Sequence, residues 1–311
     1  MKKREFLKTT GALAAGSLIL PYGCTSRKKP AEVDEIVEEI KTKNVGLQLY
    51  TLRNEIEEQG PIPVLEKVAK LGYKWMEGFE YENRKILGLT PSEMKKVLDD
   101  LGMTMPSLHA VTEVSSDGGK DAVMKQMSES AEDVKAVGAE YLVWAFLQEE
   151  DRTSIEDYKR HIDTWNQFGK ICKDNGVQFA YHNHDFEFLT PDGFNAYDMI
   201  MENTDPDEVK FELDLFWITL AGYDPVEYFN KAPGRFPLWH VKDMITEPYI
   251  AEDEERYFAE VGNGVIDFAR IFEARKTAGL DYFFVEQDFT QKTPFESIEI
   301  SINYINNAEF I

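Results

Sequence analysis

Cysteine is almost missing from this sequence: only Cys24 and Cys172 occur in 311 residues. Cys24 falls in a leader-like segment, so the body carries one thiol and closes no internal disulfide. Cys172 lies beside Ile171 on an apolar helical face and reads as a core residue. Positive charge is short as well. Against 57 Asp and Glu stand 34 Lys and Arg, giving a net charge of −23 and an isoelectric point near 4.6. Such a balance neutralises no phosphates, which argues against a nucleic-acid partner, and it does not dock on anionic lipid. No G-x-G-x-x-G follows any strand-like run, which argues against an open dinucleotide-binding sheet. Histidine is scarce too. Four of the five, His109, His182, His184 and His240, stand at the ends of apolar runs; the fifth, His161, falls in a helix and reads as a surface residue.

The first residues are basic, MKKREFLK, and residues 9–20 are small and apolar but too short to span a membrane as a mature helix. This reads as an export signal over 1–24. The stretch Lys3 to Lys8 resembles a twin-arginine motif with lysine in the first arginine position. Pro21-Tyr22-Gly23-Cys24 resembles a lipoprotein cleavage box, so the one membrane attachment expected is a lipid anchor on Cys24. Residues 25–43 read as a tether. The expected location is the periplasm or, lipid-anchored, the cell envelope.

From residue 44 to 311 the pattern alternates. Strands are expected at 45–52, 73–79, 103–111, 140–146, 177–181, 209–217, 236–243 and 280–288. Helices are expected at 61–72, 91–102, 120–137, 155–175, 193–203, 225–231, 267–278 and 293–307, several ended by Gly. Pro106 is an awkward strand member and is expected at its entry. Eight strand–helix units imply parallel strands with right-handed crossovers, and at this length a single (β/α)8 TIM barrel. The longest connection, 245–263, is expected over the barrel mouth, where it would serve as a lid.

In such a barrel the C-terminal strand tips share one face. That face collects Glu77, His109, His182, His184, Asp214, His240, Lys242 and Glu286. Each alone has a plain structural explanation, such as a helix cap or a hydrogen-bonded core group. Several buried ionisable groups on one rim are costly unless paired, and a divalent cation pairs them. Mixed imidazole and carboxylate donors suit one ion of Mn, Co, Fe, Mg or Zn rather than Ca.

The motifs YHNHDFEF, ELDLFW, WHVKD, VGNGVIDF and FFVEQD make the body resemble the sugar phosphate isomerase/epimerase family of xylose-isomerase-like barrels. The resemblance implies metal ligands from strands five to eight: His182, where many relatives have Glu, with Asp214, His240 and Glu286. His184 faces the same way and is the alternative ligand. It implies proton transfer next to a carbonyl through an enediolate, with Glu286, Glu187, Glu77 and Lys242 as catalytic candidates. His184, His109, Trp217 and Lys242 are expected to bind a small carbohydrate. The expected activity is metal-dependent isomerisation or epimerisation. Two alternatives stand beside it: an exported lyase or hydratase of keto-glycosides, and a non-catalytic sugar-binding lipoprotein. The superfamily's endonucleases fit neither the acidic charge nor the export signal. A homo-oligomer is compatible with the family.

Overall fold

Eight short apolar runs become strands: β1 (Gly46–Gln48), β2 (Trp75–Gly78), β3 (Thr104–Val111), β4 (Tyr141–Trp144), β5 (Gln178–His182), β6 (Val209–Asp214), β7 (Leu238–Val241) and β8 (Tyr282–Val285). The computed structural model describes residues 43–111, 120–189, 194–245 and 257–311. The expected export signal, the Cys24 anchor, most of the tether and the middle of the expected lid lie outside these residues. All eight strands pair in parallel and close into a barrel with β8 beside β1. This is the (β/α)8 barrel expected from the alternation.

The helices follow from their end signals. Arg53–Gln59 (α1) and Pro61–Leu71 (α2) follow β1, and α2 stops at Gly72 with φ of 101°, a conformation open to Gly without strain. Pro91–Asp100 (α3) begins with a capping box between Thr90 and Glu93. Lys120–Val137 (α4) and Ile155–Asn175 (α5) follow β3 and β4. Ala196–Asn203 (α6), Leu215–Leu220 (α7) and Pro225–Lys231 (α8) come next, then Phe268–Glu273 (α9), Arg275–Ala278 (α10) and Pro294–Asn307 (α11).

Two buried apolar clusters underlie the site, beside a third made of Phe216, Trp217 and Tyr257. The larger one lies between strands and helices and contains Cys172, as expected. The smaller one contains Tyr141, Val143, Ala180, Leu238 and Phe284. Side chains two apart on a strand share a face. Ala180, Leu238 and Phe284 therefore precede His182, His240 and Glu286 on one face, and the polar site is stacked on an apolar floor.

Four local expectations change. The run 45–52 is strand only over Gly46–Gln48 and turns into a 3-10 helix over Leu49–Leu52. The run 209–217 is strand only to Asp214. The Asp214 Oδ1 accepts from the N–H groups of Phe216 and Trp217, 2.9 Å each, and so caps α7 and turns the chain. Pro106 lies inside β3 rather than at its entry. Between Trp75 and Glu77 the β3 partner advances from Thr104 to Ser107, a bulge that tolerates a residue without N–H. His161 is half-buried: its ring stacks on Trp165 at 5.5 Å and its Nε2 bonds the Asp151 carbonyl.

Candidate metal centre

Strand register builds the site. His182 is the Cα partner of Glu212, and Asp214 that of His240. Glu212 and Asp214 are two apart on β6, so both face inward, one layer above the other. The inner layer adds Glu77, which is the Cα partner of Gln48 and of Ser107. Gln48 Nε2 donates to Glu77 Oε2 at 2.8 Å and Ser107 Oγ to Glu77 Oε1 at 2.5 Å. The outer layer adds Glu286, Asp288 and Lys242.

The rings of His182 and His240 stand between these layers. His240 Nδ1 lies 2.7 Å from Glu286 Oε2 and 3.7 Å from Asp214 Oδ2. Its Nε2 lies 2.5 Å from Glu77 Oε2 and 3.2 Å from Glu212 Oε2. His182 Nδ1 lies 3.1 Å from Glu212 Oε2, and its Nε2 3.9 Å from Asp214 Oδ2. His109 Nε2 reaches Glu212 Oε2 at 2.7 Å and Glu77 Oε2 at 3.3 Å. All these residues except His109, which is slightly exposed, are buried.

Among the described residues, two donor groups are close enough to share an ion: Asp214, His240 and Glu286, and His109, His182, Glu212 and His240, the ligand atoms of each group within 4.8 Å of one another. Nitrogen and oxygen donors at this density match a transition-metal site. The fit has independent support in Glu212 Oε1, which is buried without a hydrogen bond, a state that costs free energy unless a cation faces it; Asp214 Oδ2 already faces the Lys242 ammonium at 3.0 Å.

The charges are strongly perturbed. Burial opposes charge on His240, but the carboxylates of Glu212, Glu286 and Glu77 outweigh it and hold its pKa well above the ordinary value. Burial and neighbouring cationic groups push His182 well below, and burial and Lys242 do the same to His184. Burial works against Lys242, yet Asp214, Asp288 and Glu286 keep the ammonium charged. Lys242 and His240 overcome burial to hold Glu286 well below the usual carboxylate range. Asp288 is pushed up to about 6 by burial, against the pull of Lys242.

A cavity of about 420 Å³ opens onto the outer layer. His182, His184, His109, Trp217, Lys242 and Glu286 line it, so all four expected carbohydrate-binding residues reach one space. His184 Nδ1 and Trp217 Nε1 are buried there without partners. Among the expected ligands, Asp214, His240 and Glu286 fall in one donor group, and His182 falls in the other, which shares His240 with it. Two expected catalytic groups do not line the cavity. Glu77 belongs to the inner layer. Glu187 lies beyond a turn after β5, where its carboxylate binds the Tyr181 hydroxyl and, at 2.9 Å, the His184 N–H. Two residues were missed, Glu212 and Asp288. The signal for both was present: each is two positions from an expected ligand, Asp214 and Glu286, although Asp288 follows the end of β8.

Fold and site together define a (β/α)8-barrel protein with a buried imidazole–carboxylate centre at the C-terminal strand ends. The family described as Xylose isomerase-like TIM barrel matches residues 65–307, and the chain belongs to it. The chain is 31% identical to an inosose dehydratase of Geobacillus thermodenitrificans (strain NG80-2) over 49% of its own length and 55% of that protein's. It thus spans about half the length of the curated relatives of this kind that it matches first. A solved sugar phosphate isomerase/epimerase from Parabacteroides distasonis ATCC 8503 superposes with a TM-score of 0.74 at 27% identity, covering 86% of this chain and 99% of that one. The IOLI protein, solved with a zinc atom, superposes with a TM-score of 0.67 over 86% of this chain and 99% of that one; at 18% identity the likeness is one of fold.

Proposed function

We propose that this protein is a divalent-metal-dependent isomerase or epimerase of an unphosphorylated sugar, working by proton transfer next to a carbonyl. The observation that carries the reading is the donor group Asp214, His240 and Glu286, with His182 Nε2 3.9 Å from Asp214 Oδ2, beside a cavity that also presents a charged Lys242 and a carboxylate, Asp288, with a pKa raised to about 6. Those four residues are the proposed holders of the ion. When bound, a divalent ion polarises a carbonyl and acidifies the neighbouring C–H.

The chain's own groups then divide the work. Asp288 accepts the proton, because its affinity matches a group that must take and release one near pH 7. The C–H electron pair moves into the carbonyl and makes an enediolate. Lys242 stays protonated and faces the charge that develops. Returning the proton to the other carbon isomerises, and returning it to the other face epimerises. His184 and Trp217 orient hydroxyls and the ring face. Glu77 and Glu187 support rather than react.

Phosphorylated substrates fit poorly. Among the described residues, the cavity's Lys and Arg are Lys242 and Arg53. Lys242 is surrounded by three carboxylates, and Arg53 donates to the carbonyls of Tyr50 and Asp288. The leader-like segment fits the same reading, since sugar phosphates are mainly cytosolic, and we assign the protein to the cell envelope on that basis.

The likeness to inosose dehydratases favours a second reading, elimination of a β-oxygen from a keto sugar or keto-glycoside after the same proton transfer. One experiment separates the readings. The metal content of the purified protein is measured, and deuterium exchange from solvent into keto sugars is followed by NMR with and without chelator. Exchange that disappears with chelator supports proton transfer, and the product, isomer or dehydrated sugar, selects between the two. Binding without exchange would leave a non-catalytic sugar-binding protein and refute both.

A further inference from the structure

We infer that Glu212 is a positioning residue: it turns the lone pairs of His182 and His240 together toward the cavity side, so that a single ion is held there by both rings. The inference rests on the metal-dependent reading above and adds to it a residue and a location.

A neutral imidazole has one N–H and one lone pair. His182 offers Nδ1 to Glu212 and Nε2 to Asp214. His240 offers Nε2 to Glu212 and Glu77, and Nδ1 to Glu286 and Asp214. When both N–H groups point to Glu212, both lone pairs face Asp214 and Glu286. An ion in the inner layer would need the opposite tautomer of both rings. With an ion bound a ligating ring is neutral, so each ring serves one layer or the other, never both, and one ion is held by both rings only when their tautomers match.

The geometry favours the outer layer. Glu212 Oε2 already lies among three imidazole nitrogens, with His109 Nε2 the nearest at 2.7 Å. Glu77 is occupied by Gln48, Ser107 and His240. In the outer layer Asp214 Oδ2 faces the Lys242 ammonium at 3.0 Å but meets the two imidazoles only at 3.7 and 3.9 Å, and in the inner layer Glu212 Oε1 has no hydrogen bond. His182 and Glu286 line the cavity, as does His109 of the inner group, whereas Asp214, His240, Glu212 and Glu77 do not. Among the described residues, Glu212 is the carboxylate that touches both rings on the inner side. A ligand histidine is commonly oriented by a carboxylate on its other nitrogen, and losing that partner weakens metal binding about 10–100-fold.

The direct test needs no variant. Protein labelled with nitrogen-15 at its five histidines is loaded with zinc, and long-range proton–nitrogen NMR reads each tautomer. The expected result is His182 protonated on Nδ1 and His240 on Nε2; the reverse pattern overturns the inference. Chelator competition with Mn²⁺ gives a second readout. Glu212→Gln should weaken binding about 10–100-fold, and Asp214→Asn should weaken it at least as much. Unchanged affinity in Glu212→Gln overturns the positioning role. Abolished binding in Glu212→Gln with Asp214→Asn unaffected overturns the location. A wild-type protein that holds no ion overturns the metal-dependent reading itself.

Discussion

Lys242 Nζ lies 2.9 Å from Asp288 Oδ2, and the same ammonium is 2.6 Å from Glu286 Oε2 and 3.0 Å from Asp214 Oδ2. An internal cation therefore already faces two of the four proposed metal ligands. Replacing it with an apolar chain of similar length, Lys242→Met, leaves two buried carboxylates, Asp214 and Glu286, and the partly buried Asp288 without it. Breaking a buried pair by removing one partner costs about 3–5 kcal/mol. The variant should melt well below the wild type in chelator and recover more of its midpoint than the wild type does when Mn²⁺ is added. Equal metal-induced shifts in both proteins would show that Lys242 is not the cluster's counter-ion. Turnover should fall in the metal-loaded variant, since the charge facing the enediolate is gone.

Asp288 supplies the pH dependence. Burial raises its pKa to about 6, Lys242 pulls it down and Glu286 raises it again. A base works when ionised, so exchange into a keto sugar should rise with pH through this region and level off above it. Asp288→Asn should remove that limb and slow exchange about 10²–10⁴-fold. A variant that keeps both the rate and the limb would move the base to Glu286 or His184.

The barrel and the four converging residues were legible because their signals are local. A buried strand is an apolar run, and a tip residue is the first ionisable group after it. His182, Asp214, His240 and Glu286 all obey that rule. Glu212 does not obey it, because it stands inside the strand, two residues before the tip residue Asp214. Trp217 was read as strand because LFW is apolar; the change to helix came from the Asp214 side chain, which satisfies two N–H groups. Glu187 shares parity with neither histidine once the chain turns after His182. The hairpin at Tyr81–Glu82 and Lys85–Ile86 left no signal, since its positive φ values fall on Glu80, Asn83, Arg84 and Leu87 rather than on Gly.

The VGNGVIDF motif has a structural explanation in Asp243. Its carboxylate accepts from the N–H groups of Met244, Gly262, Gly264 and Ile266 at 2.8–3.1 Å, which folds the loop against the residue after Lys242. A Cβ on Gly264 would stand 2.2 Å from Asp243 Oδ1 and 2.4 Å from the Met244 carbonyl. Gly264→Ala should therefore destabilise the protein by about 1–3 kcal/mol, the usual range for overpacking. Urea unfolding of the variant and the wild type measures it. A loss under about 0.5 kcal/mol, the range of a neutral surface change, would mean the loop shifts freely and does not hold Lys242 in place.

Glu187 makes a prediction about stability rather than rate. Its carboxyl is buried, and desolvation raises its pKa from 4.5 to about 8 despite hydrogen bonds from Tyr181 and the His184 N–H. In the folded protein it keeps its proton at pH 7, whereas the unfolded chain has released it. Between the two pKa values the native state binds more protons, so stability falls as pH rises. The contribution is complete below pH 4.5 and is lost as pH climbs through about 8. Glutamine mimics the neutral acid and does not titrate. Relative to Glu187→Gln, the wild type should lose on the order of a few kcal/mol between pH 5 and 8.5, since each unit of pKa difference is worth about 1.4 kcal/mol. Urea midpoints of both proteins, taken in chelator at constant ionic strength, give the difference directly. Parallel curves would mean that Glu187 is ionised in the folded state. It would then be a buried carboxylate beside the His184 backbone, and its place among the proton-transfer groups would reopen.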